Sequence, residues 1–324
     1  MKKIIYILMC VTSVVACKKN DSSIGTTPTT SGNLIFYIDS AKIYSTDLSG
    51  NNRKLVVGLD TTNPNSYISN WVTTTADAGK IYFRHHISGT SPSIKQYVVN
   101  SDGTGLVLIK NMATPNYEYG VTKLTTDGKL TFYQNQWSSP GTYTNTLQSL
   151  SLDGSTQTTL GTIPGTFTHL IWGINRAGDR FLSTQYSGSA NTVYAGTLIS
   201  GVPSSPRSLP AGINKFSYND DGKKVAYLKS VSASSLEIYV YDVVAETSSL
   251  VATYTIPTGA TDDTQICWAD GTNKILVSTG FYTFPRGAFT DYTSCSVYTV
   301  GSSATPVTFK FSGDGSLGKI FTSN

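Results

Sequence analysis

Histidine, cysteine and charge are all scarce in this chain. Its 324 residues hold three histidines and four cysteines, and charged residues make up only 14%. His85, His86 and His169 are a thin supply for a catalytic zinc centre with three protein ligands, and adjacent residues on a strand point to opposite faces, so His85 and His86 would not chelate together. No metal and no cofactor is expected. The formal charge is +4 with no basic stripe along the chain, which argues against nucleic acid as a partner. No G-x-S-x-G nucleophile elbow occurs. Nor is there a long apolar pattern of helical period.

The longest apolar stretch, Ile4 to Val15, follows Lys2 and Lys3 and is too short for the about 20 residues that cross a bilayer. It reads as a secretory leader. Val14-Val15-Ala16-Cys17 resembles the lipobox of bacterial lipoproteins, which implies cleavage before Cys17 and acylation of its thiol. Residues 1–16 are then the signal peptide, and losing Lys2 and Lys3 lowers the charge from +4 to +2. Residues 17–32, with the run KKNDSSIGTTPTTSG, lack apolar content and read as a lipidated cysteine followed by a flexible tether. The resemblance also implies a destination: Lys18, rather than Asp, follows the cysteine and points to the outer membrane, with the chain held there by its lipid anchor.

From residue 33 to 324 the chain is a series of short β-branched and aromatic runs punctuated by Gly, Asp and Asn. One turn recurs at Gly79, Gly128, Gly178, Gly222 and Gly271, in steps of 49, 50, 44 and 49 residues. A second recurs at Gly50, Gly103 and Gly154. Four strands per repeat of this length describe a propeller blade. Second strands starting near Leu34, Ile81, Leu130, Phe181, Val225 and Ile275 predict an all-β, six-bladed propeller of four-stranded antiparallel blades. The first blade lacks its innermost strand, and residues 318–324 are predicted to supply it.

Blade five carries a family resemblance. KFSYNDDGKKVAYL, Lys215 to Leu228, resembles the F-S-P-D-G-K-x-I-A-F repeat of TolB-like (WD40-like) propellers, and LEIYVYDV, Leu236 to Val243, resembles their I-Y-V-x-D strand. The proline is lost and the aspartate replaced in several blades. TolB itself carries an α/β domain ahead of its propeller, for which this chain has no room, so the resemblance is one of fold.

In such a ring the short Asp-Gly turns share one face. The opposite face receives RHHISGTSPSIK, QNQWSSPGTYTNT, TQYSGSANT and TGFYTFPRGAFTDYTSC, read as long loops rich in exposed aromatics. Binding residues concentrate on loops held by a rigid scaffold. The sequence therefore predicts an envelope binding module that takes a glycan, peptide or partner protein through Trp137, Tyr282 and Arg286, with Arg84 and His86 in support. The alternative is a carbohydrate-active hydrolase or lyase with a site over the channel, for which Glu118 and Asp291 are the candidate carboxylates. Oligogalacturonate lyases, also TolB-like propellers, use histidine-rich metal sites, which three histidines serve poorly. Cys267 and Cys295 fall on the first and third strands of blade six, about 9.6 Å apart at ~4.8 Å per strand. A disulfide spans less than about 7 Å, so free thiols are expected.

Overall fold

The computed structural model describes residues 34–39, 42–59, 66–68, 72–75, 79–87, 93–113, 117–118, 123–139, 142–164, 170–187, 190–260, 264–269, 272–281, 292–312 and 321–323. The leader, Cys17 and the tether lie outside them. Met1–Ser31 and Gly32–Asn324 form separate units, and the described residues all belong to the second.

Six antiparallel sheets follow one another. Blade one is Phe321–Ser323, Leu34–Asp39, Lys42–Asp47 and Lys54–Gly58; blade two is the interrupted pair Tyr67–Ile68 and Thr73–Thr74, then Lys80–Ile87, Ser93–Asn100 and Val107–Ala113. Blade three likewise opens on a divided strand, Tyr117–Glu118 and Lys123–Leu124, and continues through Lys129–Ser139, Thr142–Ser151 and Gln157–Ile163. Blade four is Leu170–Ile174, Arg180–Ser187, Ala190–Ile199 and Val202–Ser208; blade five is Ile213–Tyr218, Lys224–Ser232, Ser235–Asp242 and Thr247–Thr255. Blade six is Gln265–Ala269, Lys274–Phe281, Tyr292–Thr299 and Val307–Ser312. Each second strand begins within a residue of its predicted start. The C-terminal strand closes the ring as expected, pairing Leu34 with Ser323, Ile35 with Thr322 and Phe36 with Phe321.

The core is six layers rather than one, because each blade is buried on both faces. Alternate residues of one strand serve different layers: Ile81 and Phe83 pack towards blade one, while Tyr82 packs with Leu124, Leu130 and Phe132 of blade three. Val225 and Tyr227 likewise face blade four, and Ala226 and Leu228 face blade six. Two-sided burial is why the second strands read as continuous apolar runs such as KIYF and KVAYL. Cys267 is half-buried and Cys295 fully buried, and both are free thiols.

A recurring bulge sets how one blade meets the next. On the outermost strand of blades one, two, three and five one residue has no partner: Val56, Ile109, Leu160 and Val251. The carbonyl oxygens of Val56 and Ile109 then point at glycines in the following blade. A Cβ on Gly103 would lie 2.5 Å from the Val56 oxygen, and one on Gly154 would lie 2.3 Å from the Ile109 oxygen. These turns need glycine for contact as well as for positive φ.

The same structure corrects the reading of the opposite face. Three of the four stretches read as loops are largely hairpin: Lys80–Ile87 runs through Arg84, His85 and His86, Lys129–Ser139 runs through Trp137, and Ser187 pairs with Ala190. The strands run on through polar residues such as Gln134, Asn135 and Gln185, which carry no apolar signal of a strand. Tyr282, Arg286 and Asp291 lie outside the described residues.

The glycine contact can be measured. Gly128 has φ +73° and open space around its Cα, whereas Gly154 has φ +74° and the Ile109 carbonyl in the way. Gly128→Ala should therefore cost about 1 kcal/mol, for the left-handed backbone alone. Gly154→Ala should cost at least ~2 kcal/mol more in urea unfolding, as overpacking does. Equal losses would show that the interblade contact yields freely.

Candidate functional site

In blades two, four, five and six the turn after strand three is tied to the turn after strand one. Ser101 donates its amide to Gly79 O, Leu198 to Asp179 O, Val243 to Lys223 O and Val300 to Asn273 O, at 2.7–3.0 Å. Both kinds of turn therefore share one face. Their aspartates are absorbed by local bonding: the hydroxyls of Ser151 and Ser155 and the Ser155 amide hold the Asp153 carboxyl down to about 2, and Thr104 acts in the same direction on Asp102.

Near the axis this face is closed by Arg176. Its Nη1 donates to Thr74 O of blade two at 2.8 Å and to Leu124 O of blade three at 3.3 Å. Its Nε lies 3.1 Å from Asp220 Oδ1 of blade five, which also takes Lys123 Nζ of blade three at 3.0 Å. The backbone follows, with Arg176 N donating to Asp220 O at 3.1 Å. Blades two and five stand opposite in a ring of six, so a side chain from blade four that reaches both lies across the axis. Arg176 and Asp220 occupy the same turn position in successive blades, the one where the repeat they resemble carries proline.

The other mouth is built differently. In blade two, first-strand pairing stops at Ile68 opposite His85 and resumes at Thr73 opposite Tyr82. Arg84 stands opposite that break. It is 1% exposed and shares the face towards blade three with its cross-strand partner Gln96, which is also buried. His86, two residues on, stacks on Tyr67 with ring centroids 5.0 Å apart and planes 10° apart. Tyr67 itself is 47% exposed. In blade four, Trp172 is the unpaired residue of a bulge between Ile171 and Gly173 on the innermost strand. It is 39% exposed, and its Nε1 donates to Thr184 Oγ1 at 2.7 Å, which fixes the ring. Tyr67 and Trp172 both stand on innermost strands, the ones that border the axis, and both are partly exposed.

Of the predicted contacts, Arg84 and His86 fall in one buried-to-exposed run of blade two. Arg84 lies inside the blade wall rather than on a loop, because the wall at this level is polar, with Gln96 beside it. Trp137 is the register partner of Tyr143 on the projecting hairpin of blade three. Glu118 lies on the short strand that pairs with Gln134. Tyr67 and Trp172 are not among the contacts read from the sequence; the glycine after Trp172, interrupting an apolar run, is the signal for the bulge. No cluster of three or more His, Cys, Asp or Glu able to hold a metal occurs among the described residues.

The Nε2 atoms of His85 and His86 are buried and find no hydrogen-bond partner among the described residues. Burial, then the charges of Arg84 and His85, pushes His86 from 6.5 down to about 4. Burial and Lys95 act in the same direction on His85. Between pH 6.5 and 4 the unfolded chain takes up protons that the folded chain refuses, so stability falls as pH falls through that window. The urea midpoint should drop between pH 7.5 and 5.5, where carboxylates stay ionised. His86→Phe, which keeps a ring on Tyr67, should remove a large part of that drop; an unchanged drop would assign the titration elsewhere.

The chain matches no protein-family model, and no curated protein matches it. Solved structures do match. TolB from Acinetobacter baumannii superposes with a TM-score of 0.51 at 15% identity, over 86% of this chain and 66% of that one. Putative TolB from Agrobacterium tumefaciens gives 0.54 at 11%, over 90% and 98%, and a chain of the nidogen/laminin complex gives 0.55 at 11%, over 90% and 99%. This chain thus spans about two thirds of the Acinetobacter protein. At these identities the likeness is one of fold. The protein is a six-bladed β-propeller whose fold is similar to that of the TolB propellers.

Proposed function

We propose that this propeller is a binding module, held at the outer membrane by an acylated Cys17, which takes a glycan, peptide or envelope protein at the mouth opposite its short turns. The observation that carries the reading is the contrast between the two ends of the channel. At the turn end Arg176 bridges opposite blades and the aspartates are spent on their own turns. At the other end Tyr67 and Trp172 stand half-exposed on innermost strands, and His86 holds an unpartnered nitrogen beneath Tyr67. An unmet buried nitrogen costs about 1–3 kcal/mol, which a ligand group bonding to it would recover. Rings fixed by stacking or by an indole hydrogen bond lose little entropy when a ligand covers them. Trp137, on the blade-three hairpin, would extend that surface, and Tyr282 and Arg286 are further candidates that lie outside the described residues.

Two measurements test the proposal. Cys17→Ser should move the protein from the membrane fraction to the soluble fraction, and unchanged fractionation would remove the anchor. Arrays of glycans and of peptides should yield a ligand whose affinity falls at least tenfold, about 1.4 kcal/mol, in Tyr67→Ala or Trp172→Ala, with Trp137→Ala and Tyr282→Ala as further probes. If these variants fold and bind as the parent does, while changes at Asp127 or Asp221 abolish binding, the ligand uses the turn face instead.

A further inference from the structure

The first described residue of the ring is Leu34, which pairs with Asp47 on one side and Ser323 on the other. Asp47 opens the blade-one turn, where the Gly50 amide bonds to the Asp47 carbonyl. The chain preceding Leu34 therefore joins the ring on the turn face, one strand from the axis.

That face carries an anomaly. The amides of Ser101, Leu198, Val243 and Val300 make equivalent bonds, so the residues that follow them are equivalent turn tips. The matching Gly50, Gly103 and Gly154 turns place Ser49 and Asp153 in register with Asp102. The tips are thus Ser49, Asp102, Asp153 and Gly301 in blades one, two, three and six. In blade five the tip is Val244, and in blade four the equivalent residue is Ile199, which ends its strand and pairs with Val202 around the Ser200-Gly201 turn. Asp102 and Asp153 accept backbone amides from Thr104 and Ser155 within their own turns. The Val244 side chain does no such work, and a β-branched residue is a poor turn former; Ile199 suits its strand end but points its side chain into solvent. Ile199 is 64% exposed and Val244 65%, more than Leu55, Leu108 or Leu250 on the outer rim. The two tips belong to adjacent blades, and the exposed Lys223 and Lys224 come from the first turn of the same blade as Val244.

We propose that the turn face of blades four and five is the surface that meets the lipid bilayer, with Ile199 and Val244 entering the headgroup layer beside Lys223 and Lys224. The inference rests on the Cys17 anchor. The chain from Cys17 to Leu34 can reach at most about 60 Å even when fully extended, which limits how far the face it joins can stand from the bilayer. Two aliphatic tips bind lipid weakly alone, but a tethered surface meets it at high effective concentration. The ligand mouth on the opposite side is then turned away from the membrane.

The test uses the full acylated chain carrying Cys267→Ser, so that its half-buried thiol stays silent, and an environment-sensitive fluorophore at Ile199→Cys, Val244→Cys or Ala233→Cys. Ala233 is exposed in the hairpin turn at the other mouth. On vesicles of phosphatidylethanolamine and phosphatidylglycerol, emission at the first two positions should shift to the blue and be quenched by spin-labelled lipid, while position 233 should not respond. A chain that floats with vesicles but gives the same emission at all three positions overturns this inference and leaves the anchor standing. A chain that fails to float overturns the anchor, and the inference with it. A shift that appears without vesicles and grows with protein concentration assigns the patch to a second copy of the chain.

Discussion

Six blades close into a ring only if each meets the next at the same spacing, and the meeting of a turn glycine with a bulged carbonyl sets that spacing over the first blades. The bulge bends the outermost strand and frees a carbonyl, and the glycine of the following blade approaches within a distance that no Cβ could share. At the seam the device is replaced. Blade six pairs its outer strands without a bulge, and a Cβ on Gly50 would meet the ring of Phe309 instead. Backbone closure there is a strand of three residues, so the seam depends more on burial of Ile35, Tyr37, Ala269, Leu276, Cys295 and Val297 than on the ladder.

Arg176 and Asp220 couple this architecture to the site. Their side chains are 5% and 20% exposed, and a charge pair so far out of water gives little net stability against apolar residues of the same size. Its geometry does something apolar residues could not. One guanidinium meets two carbonyls and a carboxylate from three other blades, which fixes their mutual positions and obstructs the turn end of the channel. Loss of either partner would leave the other buried and poorly satisfied, a larger penalty than the pair's net worth.

The ring was legible in the sequence because both of its signals are imposed by the backbone. Positive φ confines turns to glycine, as at Gly128, Gly154, Gly178 and Gly222, and two-sided burial makes second strands continuously apolar. The projecting hairpins were not legible. Gln134 to Ser139 carries no apolar alternation, because strands that leave the ring have no core face to mark. Arg84 was misplaced for a related reason: charge reads as surface, and only the register shows it buried across from Gln96. Arg176 sits in a turn whose consensus made it resemble one more degenerate repeat, and nothing local distinguishes a side chain that spans the axis.

A repeat also makes its exceptions informative. Where other turns are explained by their own hydrogen bonds, one that breaks the pattern must be explained by something outside the turn. Arg176 and Asp220 break it inwards, and each finds its reason in the other. Ile199 at a strand end and Val244 in a turn depart outwards, and no described residue covers either side chain. Tyr67 and Trp172 are exceptions of the same kind at the other mouth, because innermost strands elsewhere present buried residues such as Leu124, Ile174 and Tyr218. The departures therefore separate by face: polar and inward near the axis of the turn end, aliphatic at two turn tips, aromatic at the opposite mouth. One scaffold thus keeps three chemistries apart, since each blade crosses from one face to the other four times and a change at one end of a strand leaves the other end unaltered.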